Sequence, residues 1–442
     1  MAGPRYGKQY ALEAEAPELT TSCLLLTLVL VVLPGSGVEI ALASDASGAE
    51  PGQSQEKDEA DEKKIFDVSW DAGLHLQGPW DALKIKIGAD VQNDTAGYAN
   101  VESAEAAIGK PIESDVEWRR ARVYAEGSVH RHIEFKFRYD FAVSNPPNLK
   151  DAYISLVNLP IPALEVTAGR FRAPLGLDGY TGADDLLFLE RSTLTTAFLP
   201  SRNTGLLLHG DSRRRRIRWS IGVLQPEADD LSLKNTDNLG YSARFAAAFH
   251  AGAAKKTLLH LGVDFWRRNV EDTFQLATRP ESHIAPNFVD SGEIHSRHLE
   301  TALLELGVQR GRLTLQSELA GTNLTTRDQG TFFFHAFYLQ GSYFLSGEAR
   351  PYRTERGTFS RPKPKREFRD GSGGLGAFEV GVRFSRIDLD DGAVAGGRLN
   401  DWSFALNWYP FHYARVMSNF IVANLANAEP VAIFQMRLQV GF

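Results

Sequence analysis

The last nine residues of the chain read Phe434-Gln435-Met436-Arg437-Leu438-Gln439-Val440-Gly441-Phe442. Large apolar side chains hold every even position, and Gln, Arg, Gln and Gly hold the odd ones. Successive side chains of a strand point to opposite faces, so this run has one greasy face and one polar face. Two settings satisfy it. One is a soluble sheet with a core on one side and water on the other. The other is a barrel wall with lipid outside and a polar interior.

The rest of the chain separates the two. Ile133, Phe135, Phe137, Tyr139 and Phe141 alternate with Glu134, Lys136, Arg138 and Asp140. Ile217, Trp219, Ile221 and Val223 alternate with Arg216, Arg218, Ser220 and Gly222, and Phe378, Val380, Val382 and Phe384 with Glu379, Gly381, Arg383 and Ser385. These runs are roughly 9–12 residues long, the length a tilted strand needs to cross a bilayer. Aromatics such as Trp402 and Trp408 near strand ends suit interfacial girdles. The pattern predicts an all-β fold, a transmembrane antiparallel β-barrel of about sixteen strands. They run from 83–92 and 116–127, through 298–309, 332–345 and 376–388, to 431–442. Val68–Leu76 would make an odd number and is expected to pair inside the mouth rather than span.

Hydrophobic residues make up 43% of the 442, too few for a helical membrane protein. The long apolar run is 24–33, short of the roughly 20 residues a spanning helix requires. With Ala41-Leu42-Ala43 behind it, it fits a signal-peptide core, so 1–43 is expected to be a signal peptide. A buried helix is the alternative. Residues 44–64 read as an acidic disordered linker, because 45–64 hold seven acids against three bases. Most of the net charge of −7 therefore belongs to the N-terminal segments, and the body at 65–442 is nearly neutral. The single cysteine, Cys23, lies in the leader, so the body has no thiol chemistry. No nucleophile elbow, phosphate-binding glycine loop or metal-ligand spacing is present, and neither catalysis, a cofactor nor a metal is expected. The Arg213–Arg216 run sits at a turn of a neutral body and does not argue for nucleic acid.

Five motifs in order resemble the phosphate-selective porin O and P family. They are Trp118-Arg119-Arg120-Ala121-Arg122; Lys136-Phe137-Arg138-Tyr139-Asp140 with Lys150-Asp151-Ala152-Tyr153; Gly169-Arg170-Phe171-Arg172-Ala173-Pro174-Leu175-Gly176; Phe344-Leu345-Ser346-Gly347-Glu348; and Phe378 through Phe384 with Asn407-Trp408-Tyr409. The resemblance covers about 83–442. It implies a trimeric outer-membrane porin with an anion-selective, Arg/Lys-lined pore, and assembly-machinery recognition of the terminal Phe442. It also implies a constriction built from an Arg pair, matched by Arg119 and Arg120, and an aspartate, matched by Asp151. Where phosphate-selective members carry Tyr, this chain has Arg122, and Glu134 stands where a lysine is expected.

With Phe442 placed in the periplasm, the loops sort into short inner turns and long outer segments. The third outer loop, 172–203, is expected to fold inward as the constriction, with charge from Arg172, Asp184, Asp185, Glu190, Arg191 and Arg202. By alternation Arg120, Arg122, Lys136, Arg138, Arg216, Arg218, Arg244, Arg383 and Arg437 face the lumen. Each has a competing role as a wall brace beside the interior acids. Arg119 has the wrong parity, and needs a bulge or a strand end to escape lipid, where Arg costs roughly 2–4 kcal/mol. Residues 346–375, basic and rich in Pro and Gly, fall on the periplasmic side. Either they are an excursion toward the pore or the strand count fails there. The function expected is a passive outer-membrane diffusion channel for small solutes, with anions such as phosphate as the expected class, with outer-membrane lipids and a homotrimer as partners and the N-terminal tail in the periplasm. The alternative is a non-conducting barrel serving as anchor, adhesin or ligand-binding surface.

Overall fold

A computed structural model describes residues 66–78, 82–142, 148–212, 216–226, 238–251, 257–369, 371 and 373–442. The expected signal peptide and linker lie outside them, as do Arg213, Arg214 and Arg215. Sixteen long strands follow: β1 Leu83–Ala99, β2 Asp115–Val129, β3 Ile133–Asp140, β4 Leu149–Leu156, β5 Glu165–Arg172 and β6 Arg202–Asp211. Then come β7 Ile217–Pro226, β8 Gly240–Ala251, β9 Thr257–Asn269, β10 Ile294–Arg310 and β11 Leu313–Thr326. The last five are β12 Thr331–Phe344, β13 Ala377–Asp391, β14 Val394–Phe411, β15 Ala414–Leu425 and β16 Val431–Gly441. Each pairs antiparallel with its sequence neighbour, and β16 closes the ring on β1 through Gly441↔Asp90 to Ala432↔Ala99. A closed ring leaves no long edge to aggregate.

Alternation decides which face is which. In β16 Phe434, Leu438 and Val440 are exposed on the outside while Gln435, Arg437 and Gln439 are buried inside. The same holds for Leu304 and Leu306 against Glu305 on β10, and for Trp402, Phe404 and Leu406 against Asp401 and Ser403 on β14. An apolar exterior this extensive would aggregate in water, and a bilayer is the solvent that accepts it.

Several strands run longer than the sequence pattern set. β1 continues to Ala99 rather than 92, so the expected loop 93–115 shrinks, and β10 begins at Ile294 rather than 298. Polar Asn93, Asp94 and Thr95 blur the pattern there while the ladder to β16 continues. A short hairpin, Asp67–Trp70 with Leu74–Gln77, pairs with Lys84–Ile87 of β1 below the end of β16. It does not lie inside the mouth as expected. Exposed Val68 and Trp70 stand opposite Leu76 and Leu74 and extend the apolar outer wall, and Trp70 meets the Phe442 ring at 5.6 Å.

Tight turns at 311–312 and 412–413 lie on the rim that holds Phe442, and the 100–114, 173–201 and 270–293 connections lie on the far rim. The count survives the 345–376 connection between β12 and β13, because β12 pairs directly with β13. That connection enters the barrel from the Phe442 rim.

Candidate pore and its charged lining

The β1–β4 wall presents a cluster of cations held by short-range partners. On β2, Arg120 donates to Gln92, and Arg122 Nε donates to Asp140 at 2.7 Å. Arg138 of β3 lies 3.7 Å from Asp151 of β4, which also accepts from Arg202 Nε at 2.8 Å. Lys136 pairs with Glu126. The ring of Tyr124 is approached by Lys86, Lys136 and Arg138 at 5.0–5.9 Å from its centroid.

Three irregularities set the upper part of this cluster. The β1–β2 register shifts so that Gln92 faces Arg120 and Asn93 faces Trp118, leaving Arg119 as the bulged residue. The bulge cancels the wrong parity, and Arg119 donates to Glu190 at 2.9 and 3.0 Å. On β5, Gly169 has φ of 122°, with the Ala152 carbonyl where a Cβ would stand, so only glycine fits. Alternation breaks there. Arg170, opposite Ala152 and so lipid-facing by parity, is instead buried, with its Nε donating to the Leu149 carbonyl. A second register shift, between Arg138/Asp151 and Tyr139/Leu149, frees Lys150 from the pattern. Arg170 and Lys150 were missed because both depend on these breaks.

The 173–201 segment contains two short helices, α1 Leu177–Tyr180 and α2 Thr193–Phe198. Asp178 ties them together by accepting from Ser192 N and Thr195 Oγ1, each at 3.0 Å. Wall carboxylates hold its near end. Glu318 of β11 accepts from Leu177 N at 2.6 Å and Asp178 N at 3.0 Å, and Asp264 of β9 from Gly176 N at 2.5 Å. Guanidinium groups from strands far round the ring take its carbonyls: Arg415 the Leu186 carbonyl, Arg437 the Leu189 carbonyl and Arg383 the Glu190 carbonyl. Asp184 accepts from Gln92 at 3.0 Å. Burial pushes Asp184 and Glu190 up, but neighbouring guanidiniums win. Arg138, Arg361 and Arg122 hold Asp184 below its ordinary value, and Arg119, Arg437 and Arg120 hold Glu190 well below.

The 270–293 connection also docks across the barrel. Glu281, at φ of 52°, accepts from Arg383 Nε at 2.9 Å and from Ser403 at 2.7 Å. Its position far from those partners in sequence left no signal to read.

The expected residues therefore divide. Arg119, Arg120, Arg122, Arg172, Glu190, Arg191 and Arg202 line a cavity of about 580 Å³ toward the far rim, together with Lys150, Arg170 and Arg279. Among the described residues, Arg120, Arg172 and Arg191 have no carboxylate within ion-pair distance; Arg172 and Arg191 bind main-chain carbonyls instead. Asp184 and Asp185 lie deeper and are tied to side chains and to the 345–376 connection. Arg383 is locked to Glu281 and Arg244 to Glu305 at 2.8 Å, so both brace the interior. Arg218 braces the wall beside Glu165 and Asp211, and Arg216 is exposed before β7 begins. A second cavity of about 430 Å³ opens toward the Phe442 rim, lined by Lys84, Lys86, Glu126, Glu134, Tyr153 and Arg356 among others. Both cavities touch the β1–β5 part of the wall.

The family model for phosphate-selective porin O and P matches residues 85–442. The chain belongs to that family. It is 21% identical over 388 residues to Porin O of Pseudomonas aeruginosa, covering 79% of this chain and 85% of that protein. It is 27% identical over 357 residues to an uncharacterised protein of Caulobacter vibrioides, covering 75% and 67%. Among solved structures, the trimer form of the outer-membrane protein OmpT of Vibrio cholerae matches with TM-score 0.53 and 9% identity, over 82% of this chain and 100% of that one. OmpF of Salmonella typhi, solved with daunomycin, matches with TM-score 0.51 and 10% identity, over 82% and 98%. The protein is a porin of the outer membrane with a sixteen-stranded barrel.

Proposed function

We propose that this porin passes small anions passively, and that the cation-lined cavity toward the far rim is where they are selected. The observation that carries the reading is the set Arg120, Arg172 and Arg191, facing one cavity with no carboxylate partner among the described residues. Arg120 Nε and Arg122 Nη1 have no protein hydrogen-bond acceptor, but both atoms are buried, so these two guanidiniums act on a solute through the charge they bring to the cavity wall. Low-dielectric walls focus the field of such a cluster, and an entering anion exchanges part of its hydration shell for guanidinium contacts. Acids nearby keep the site from binding too tightly: Glu190, Asp151 and Asp140 each hold one or more of the guanidiniums. No chemical step is needed, and release follows from the same weak binding.

In this reading the 173–201 and 270–293 segments narrow the barrel and confine the route to the β1–β5 side. The Phe442 rim faces the periplasm, so the N-terminal tail is periplasmic. Three copies associate, in keeping with the trimer form of the Vibrio cholerae neighbour. Phosphate is one candidate solute. Arg119 and Arg120 hold the positions of the family's Arg pair and Asp151 that of its aspartate.

Liposomes carrying the purified protein test this by osmotic swelling. Small anionic solutes are expected to enter faster than neutral sugars of equal size. Equal rates would remove the anion preference, and no swelling with any solute would return the barrel to a non-conducting anchor or adhesin.

A further inference from the structure

The 345–376 connection carries a small hairpin, Tyr352–Arg353 paired with Thr358–Phe359. Its turn is tight. Arg353 O accepts from Gly357 N at 2.8 Å, and Gly357 takes φ of 64°. The tip is fixed to the far side of the barrel. Arg244 of β8 donates to the carbonyls of Arg356 and Gly357, each at 3.0 Å. His260 of β9 meets the Tyr352 hydroxyl at 2.6 Å, and Phe359 packs among Leu177, Ala248 and Leu258. Arg353 lies 3.3 Å from Asp185 of the 173–201 segment. The main chain of the tip is thus held by hydrogen bonds.

The Arg356 side chain is not. Its guanidinium has no ion-pair partner among the described residues, and it lines the cavity of about 430 Å³ toward the Phe442 rim. Of the acids lining it, Glu126 is already paired with Lys136, and Glu134 of β3 is the other. Burial lowers the Arg356 pKa, but Tyr180, Tyr153 and Glu126 outweigh it and leave the group more basic than usual. Lys84 and Lys86 of β1 line the same cavity.

We infer that Arg356 is a selectivity-determining residue of the pore's second chamber, a cation delivered into the route by an inserted hairpin instead of by the wall. It meets an anion that has left the first cavity and keeps the potential positive along the remaining path. This rests on the anion-channel reading given above.

The test uses the full-length porin in planar bilayers, as wild type, Arg356→Lys, Arg356→Ala and Arg356→Glu, all checked for folded migration. The wild-type zero-current potential in a KCl gradient is expected to favour chloride. Arg356→Lys is expected to keep that preference, Arg356→Ala to reduce it and Arg356→Glu to reduce it further or reverse it. If wild type favours chloride and Arg356→Glu matches it in potential and conductance, the inference is overturned and the anion channel stands. If wild type does not favour chloride, both fall. An Arg356→Cys channel keeps the experiment decisive should charge reversal impair folding. A negatively charged methanethiosulfonate added on the Phe442 side is expected to lower its current, and an unreactive thiol would place the residue outside the route and overturn the inference.

Discussion

Glu190 shows how much one side chain can hold in this barrel. It accepts from Arg119, the bulged residue of β2, at 2.9 and 3.0 Å and from Arg437 of β16 at 2.7 Å. Arg437 keeps Asp94 when Glu190 is removed, but Arg119 keeps no carboxylate among the described residues. Glu190→Ala is therefore expected to weaken the segment's attachment by about 1.5–3 kcal/mol, the range for hydrogen bonds to charged groups. In single-channel records this reads as added open-channel noise. The pH dependence follows from the same contact. Glu190 is held well below its ordinary value, near 4.3 for a free glutamate, so the attachment is complete above that value and is lost only as pH falls through the lower native one. Noise is expected to stay flat from pH 8 to about 5 and to rise only under stronger acid, below about pH 4. A rise centred near neutrality would mean that another group controls the segment.

At the scale of elements, strands and inserted segments obey different physics, and this decides what the sequence could reveal. A wall strand is written by its two solvents, so alternation alone placed all sixteen and turned Arg437 inward. Where a strand is interrupted by a bulge or a left-handed glycine, that code fails. Arg119, Lys150 and Arg170 stand at those interruptions. The inserted segments are placed by contacts between residues remote in sequence, such as Glu281 with Arg383, and no local pattern announces them. The charged stretch at 172–203 could be recognised, but not its anchors. Glu318 is the clearest of these, accepting from Leu177 N, Asp178 N and the Tyr338 hydroxyl. Glu318→Ala strands three donors, at about 1–3 kcal/mol for each that stays dry. The expected result is a barrel that still folds, because the ladder between β10, β11 and β12 is untouched, but conducts more current as the segment loosens. Unchanged conductance with normal folding would show that the other anchors suffice.

Across the whole molecule, charge is arranged more tellingly than it is totalled. The body is close to neutral, yet its interior is crowded with guanidinium groups, most of them matched to acids and a few left facing cavities. Arg244, Arg383 and Arg437, each matched to an acid, and Arg415, which is not, hold the inserted segments by their carbonyls. Arg120, Arg172, Arg191 and Arg356, without a carboxylate partner among the described residues, line the two cavities along the β1–β5 side. Composition could not separate these two uses of arginine, since both put the same side chain into the interior. Sequence reading turned Arg120, Arg122 and Arg138 to the interior, on the part of the wall that both cavities touch. The claim at the centre is that these residues make an anion path. The zero-current potential of the wild-type porin across a planar bilayer, under a tenfold KCl gradient, tests it most directly. The account predicts a potential of the sign set by chloride, and a potential of the sign set by potassium would contradict it.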